Sequence, residues 1–141
     1  MGTTNYFETF IAVAPDSDAA VGVELPAKAT PTIAGRTWQL IYENPYRFTS
    51  DDVLFTVYAD REVIPEAERV AIREEFFAKS RACLRASDLG KKYGWGVHAD
   101  DQGRVALYGV DSAEYDSFAS GQRRSADGHP VKILKAMRSR R

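Results

Sequence analysis

Cysteine is almost missing from this chain. Cys83 stands alone in 141 residues, so no internal disulfide forms, and a single reduced thiol points to the cytosol. Histidine is nearly as scarce. His98 and His129 with one cysteine do not make the four nitrogen or sulfur ligands that zinc takes, so no metal is expected. No apolar run approaches the ~20 residues that cross a bilayer, so no membrane contact is expected. The first ten residues hold Glu8 and no basic side chain, unlike the charged start of a secretory signal. Neither a G-x-S-x-G elbow nor a phosphate-cradling glycine loop occurs: Gly94-Trp95-Gly96 lacks the further glycine and the lysine. No cofactor is expected.

What is present suits one domain. A chain of 141 residues buries roughly two thirds of its unfolded surface and needs no metal or disulfide to fold. The net charge of −1 hides a gradient. Residues 121–141 carry seven cations against Asp127 alone, a local charge of +6, and the other 120 residues sum to −7. Such a tail either binds a polyanion or straps back onto its own acidic body.

Along the chain, 7–14 is rich in β-formers and stops at Pro15, which reads as a strand. Residues 15–31 read as a surface loop with a short strand at 21–25 as its one regular candidate. Thr32 is placed to cap a helix through Trp38, Leu40 and Ile41 to about Glu43, and Asn44-Pro45 ends it. Residues 49–52 read as a turn, and Val53–Ala59 as a strand covered on both faces because apolar residues occur at both parities. Pro65 opens a helix whose Glu66 and Glu68 suit its start and whose Lys79 and Arg81 suit its end. Residues 94–110 form a hairpin pattern around Asp100-Asp101-Gln102-Gly103. Asp111-Ser112-Ala113-Glu114 resembles a capping box that opens a short helix. Residues 120–130 read as a mobile loop, 131–137 as either a strand or a helical turn, and 131–141 as a basic C-terminal segment. The expected fold is α+β, one domain over 1–141. It has a mainly antiparallel sheet of four or five strands, centred on the hairpin and on 53–59, with two or three helices packed on it.

Seven ordered motifs carry a resemblance. They are Thr3-Thr4-Asn5-Tyr6-Phe7, Glu43-Asn44-Pro45-Tyr46, 49–55, Cys83-Leu84-Arg85-Ala86-Ser87, 93–98, 105–109 and 135–139. Together they resemble a family of small bacterial proteins known as a domain of unknown function. The resemblance implies one bacterial cytosolic domain and assigns no catalytic residue. A fainter similarity, through Asp52-Val53-Leu54-Phe55, Leu89, Lys92, Trp95, Asp111 and Tyr115, is to the bacterial double-wing DNA-binding family.

Three readings of function stay open. The leading one is a non-catalytic binding or interaction module, because no recognisable catalytic set assembles. In the second, Arg85, Lys91, Lys92, Lys135, Arg138, Arg140 and Arg141 hold a polyanion or nucleic acid while Tyr93 and Trp95 stack on bases. In the third, Cys83 is a nucleophile flanked by Arg81 and Arg85, with His98 as its base. The carboxylate pairs Asp51-Asp52 and Glu74-Glu75 point apart within a helix or strand and read as caps and solvated faces. The partner and the oligomeric state are not legible.

Overall fold

The computed structural model describes residues 3–25, 32–125 and 127–138. A four-stranded sheet runs in the order β3-β2-β1-β4, with β1 at Thr9–Ala12, β2 at Trp95–Ala99, β3 at Val105–Gly109 and β4 at Lys132–Lys135. β1 and β2 pair antiparallel, as do β2 and β3, whereas β4 joins β1 in parallel. The hairpin expected at 94–110 is therefore present, and 131–137 resolves as a strand. The sheet's centre is β1 and β2, with β3 at one edge.

Among the described residues five α-helices accompany this sheet: α1 at Ile33–Tyr42, α2 at Ser50–Arg61, α3 at Arg69–Ala78, which packs on α2, α4 at Asp88–Lys91 and α5 at Ala113–Ala119. α1 has the expected ends, with the Thr32 hydroxyl accepting from the Gly35 amide and Glu43 closing the last turn. Pro65 precedes a 3-10 turn at Glu66–Glu68 that runs into α3. The cap of α5 falls on Ser112, whose hydroxyl accepts from the Tyr115 amide, one residue on from the expected Asp111–Glu114 box. Segment 21–25 is not a strand; its Val23 amide donates to the Tyr93 carbonyl.

The expectation for 53–59 is overturned. Those residues lie inside α2, and the supposed turn before them is its cap. The Thr49 hydroxyl accepts from the Asp52 amide at 3.2 Å, and the Asp52 carboxylate accepts from the Thr49 amide at 3.0 Å. This reciprocal pair satisfies two orphan donors and nucleates the helix against the β-propensity of Val53, Phe55 and Val57. Apolar residues at both parities reflect a helix packed on two sides. Val53 and Val57, one turn apart, join the core under the sheet, whereas Phe55 and Ala59 face Phe76 and Phe77 of α3. With this segment helical, and with α4 and α5 short, the helices exceed the two or three expected.

The two faces of the sheet are covered differently. Ile11, Trp95, Val97 and Leu107 point to α1, α2 and α4. Phe10 and Ala12 point to α5, where Phe10 stacks on Phe118 and meets Tyr115 edge-on. Gly96 makes room for this packing, since a Cβ there would sit 2.5 Å from the Phe10 ring.

Candidate functional site

Sequence-distant cations meet at the outer edge of β4. The Arg85 Nε–H donates to the Lys135 carbonyl at 2.8 Å, and the Met137 amide donates to the Arg85 carbonyl at 2.8 Å. Five residues on, Gly90 backs onto Ala136 so closely that a Cβ would lie 2.8 Å from the alanine methyl. Segments 85–92 and 135–138 are therefore joined at Arg85 and Gly90, so the cations Arg85, Lys91, Lys92, Lys135 and Arg138 stand on neighbouring segments, with Asp88 as the one acid among them. None of the five forms an ion pair with a carboxylate among the described residues, whereas Arg36, Arg69, Arg73 and Arg104 are all paired. Arg140 and Arg141 lie outside the described residues.

β4 carries a lysine at each end. At its start, the Lys132 amide donates to the Glu8 carbonyl. The Glu8 carboxyl is raised above its ordinary range by desolvation and by Asp101, Asp127 and Asp100 nearby. Acids thus gather around Glu8 near the start of the strand, where Lys132 and His129 also stand, and Arg85 meets Lys135 at its end. Among the described residues, Asp51 and Asp52 form no ion pair with a cation of the tail. Asp51 accepts from Thr3, Thr4 and the Thr4 amide, and Asp52 pairs with Arg73 at 2.9 Å.

The aromatic half of the expected surface is elsewhere. Trp95 is buried under the sheet, and its indole N–H donates to the Val23 carbonyl at 2.8 Å. Tyr93 packs half-buried against the same core. Neither ring joins the cationic edge, so that edge offers charge without a stacking platform. The alternation of β2 explains this, because Trp95 shares its parity with the core residues Val97 and Ala99.

Cys83 and His98 are not brought together. Cys83 precedes Leu84, which packs into the core beneath α1 and α2. Its thiol pairs with the Tyr6 hydroxyl at 3.2 Å and lines a cleft of about 270 Å³ with Ile33, Thr37, Leu54, Leu84 and Asp88. Tyr6 is raised above its ordinary value by burial and by the Cys83 hydrogen bond, with Arg85 opposing. His98 faces the other side of the sheet. Its Nδ1 pairs with the Tyr46 hydroxyl at 2.8 Å, and that hydroxyl pairs in turn with Tyr108 at 2.8 Å. The imidazole stacks on Phe118 at 4.3 Å, and Arg123 covers that phenyl ring at 4.7 Å. Its Nε2 is buried without a partner. Burial holds the imidazole down at about 4, with Arg123 adding and Asp100 opposing, so it is neutral at pH 7. Burial and the Tyr108 bond likewise push the Tyr46 hydroxyl well above its ordinary value. Tyr46 and Tyr108 stand in the sequence among aromatics whose polar tips seek hydrogen-bond partners, but outside the expected site residues. The signal available was Pro45, which sets Tyr46 at a turn.

A family model spans residues 1–141, the whole chain. The chain belongs to DUF6157, a family of unknown function. No curated protein and no solved structure matches it. In this DUF6157 chain the separated sequence motifs are joined by hydrogen bonds. Thr4 and Asn5 hold Asp51 at the α2 cap, Tyr46 holds His98 and Tyr108, and Arg85 holds Lys135. Among the described residues no helix is long and apolar enough to cross a membrane, and no group of three His, Cys, Asp or Glu is placed to hold a metal.

Proposed function

We propose that this DUF6157 domain is a non-catalytic binding module that receives an anionic partner on the cationic edge of its sheet, with a nucleic-acid phosphate backbone as the first candidate. The observation that carries the reading is the joining of segments 85–92 and 135–138 through Arg85. It gathers five cations that have no carboxylate partner among the described residues. Their fields add over one edge, which draws a polyanion and makes the attraction strongly salt-dependent. With Trp95 and Tyr93 turned inward, recognition is by phosphate charge and indifferent to base sequence. The separation of Cys83 from His98 supports a binding role over thiol catalysis. The lone half-buried thiol supports a reducing compartment, the cytoplasm.

The test is titration of a labelled oligonucleotide at low and moderate salt against the full chain and a Lys92→Glu/Lys135→Glu/Arg138→Glu variant. These three residues are exposed, so reversal leaves the core intact. Binding that weakens with salt and is lost on reversal is expected. No binding at low salt, or equal binding by the variant, overturns the reading.

A further inference from the structure

The sheet ends at β4, and the backbone of that strand shows which of its groups face away from the sheet. In the parallel ladder with β1, the Lys132 amide donates to the Glu8 carbonyl and the Ala136 amide to the Ala12 carbonyl. Backbone groups alternate sides along a strand, so Lys132, Leu134 and Ala136 bond inward, while Ile133, Lys135 and Met137 present theirs outward. Arg85 meets that outward side. Its Nε–H donates to the Lys135 carbonyl at 2.8 Å, and its carbonyl accepts from the Met137 amide at 2.8 Å. Among the described residues nothing accepts from the outward amides of Ile133 and Lys135. Both residues are exposed, Ile133 at 40 %.

What remains between Ile133 and Lys135 is rich in donors. Two N–H groups are open but only one carbonyl, that of Ile133, because Arg85 takes the other. An added peptide strand alternates N–H and C=O and needs both kinds in return, so this edge suits it poorly. A phosphodiester backbone brings acceptors alone. The two amides stand about 6.6 Å apart, two strand steps, a spacing close to that of neighbouring phosphates in an extended nucleic-acid strand. A lysine flanks the row on each face of the sheet. Lys132 shares the register of Thr9 and Lys135 that of Ala12, and positions three apart on a strand point to opposite faces.

We propose that the outer edge of β4 is the line along which a phosphodiester backbone lies, with the Ile133 and Lys135 amides donating to neighbouring phosphates. Lys132, Lys135 and Arg85 supply the charge around that line. The inference rests on the reading of the cationic edge as a nucleic-acid site, and it adds the donors that fix the position of the strand. Such amide contacts set orientation and register without reading bases.

Labelled oligothymidylate, titrated at low and moderate salt into the full chain and two variants, tests this. Ile133→Pro removes one outward N–H, keeps every charge, and is tolerated where the N–H of an edge strand faces solvent. Ile133→Ala removes the side chain and keeps the N–H. The proline variant is expected to bind about tenfold more weakly than the alanine variant, the loss of one hydrogen bond to a charged group. Its salt dependence should match, because no charge has gone. Amide exchange followed residue by residue by NMR needs no variant. The Ile133 and Lys135 amides should exchange readily in the free chain and slow with oligothymidylate bound, whereas those of Leu134 and Ala136 are slow in both. No binding by the parent at low salt overturns the cationic edge, and this line with it. If the parent binds, equal affinity of the two variants, or unchanged exchange at Ile133 and Lys135, overturns the line alone and leaves the cationic edge standing.

Discussion

The Tyr46 hydroxyl reaches over the edge strand β3 to the His98 imidazole, 2.8 Å away on the neighbouring strand. Ala106, the register partner of His98, is small enough to leave that path open. Tyr46 adopts φ of +59° to make the reach, a left-handed backbone that costs an aromatic residue on the order of 1 kcal/mol. Its amide donates to the Val105 carbonyl, and its hydroxyl serves two partners. The strained turn is thereby held to the sheet.

Tyr46→Phe tests that arrangement. It deletes both hydroxyl bonds and leaves His98 with neither nitrogen partnered. The expected loss in urea unfolding is about 2–3 kcal/mol, the cost of a stranded buried polar group plus the lost bond. A loss below about 0.5 kcal/mol would show that water replaces the hydroxyl without penalty.

Acid should destabilise the fold through His98. Its folded value near 4 lies below the ordinary 6.5, so between these pH values the unfolded chain binds the extra proton. Stability is then fully present above 6.5 and falls as the pH drops toward 4. The full shift would be worth more, but partial solvent access reduces it to roughly 2 kcal/mol. Urea unfolding of the parent and of His98→Phe at pH 7 and pH 4.5 isolates this group, because both proteins share the same carboxylates. The parent should lose more stability than the variant. Equal losses would place the acid sensitivity elsewhere.

Gly96 lies beneath α5, against the rings of Phe10 and Tyr115. A methyl at Gly96 would stand 2.5 Å from one ring and 2.8 Å from the other. Gly96→Ala should therefore cost about 1–3 kcal/mol by forcing α5 outward, measured by thermal unfolding. A Gly121→Ala control tests a different mechanism: its Cβ would meet nothing within 4 Å, but its φ of +79° strains any side chain. Wild-type stability in Gly96→Ala would mean that α5 shifts without penalty.

Much of the architecture was legible where one local signal acted alone. Thr32 and Asn44-Pro45 bracket α1 because a hydroxyl cap and a proline are short-range devices. The glycine-containing turn marks the β2–β3 hairpin for the same reason. Val53–Ala59 was misread because two signals conflicted. The β-branched and aromatic run favoured a strand, while the decisive one, the Thr49 and Asp52 cap, looked like a plain turn. Of the cationic edge, the +6 charge of the tail was readable from composition. Its meeting with Arg85 depends on a bond between residues 50 positions apart, which no local pattern announces. Trp95 enters the second functional reading as a stacking ring, but the alternation of β2, which pairs it in parity with Val97 and Ala99, turns it inward.

Removal of the basic tail has a consequence beyond charge. Ending the chain at Val131 deletes β4 and leaves Thr9–Ala12 unpaired along one side. It also deletes Ala136, which packs at 3 % exposure against the core and donates its amide to Ala12. β1 then becomes an exposed edge, a template for pairing between chains. The truncated chain should unfold at a lower temperature and aggregate as it does so, read by light scattering during a thermal ramp. Charge reversal at Lys92, Lys135 and Arg138 leaves the ladder intact and should change the unfolding temperature little. If the truncated chain stays monomeric and as stable as the parent, β4 contributes no strand energy and the tail acts through its charge alone. Should truncation destabilise and reversal not, the tail is a strand of the fold that also carries the cations. A loss of oligonucleotide binding on truncation would then not separate charge from structure, and the reversal variant becomes the decisive comparison.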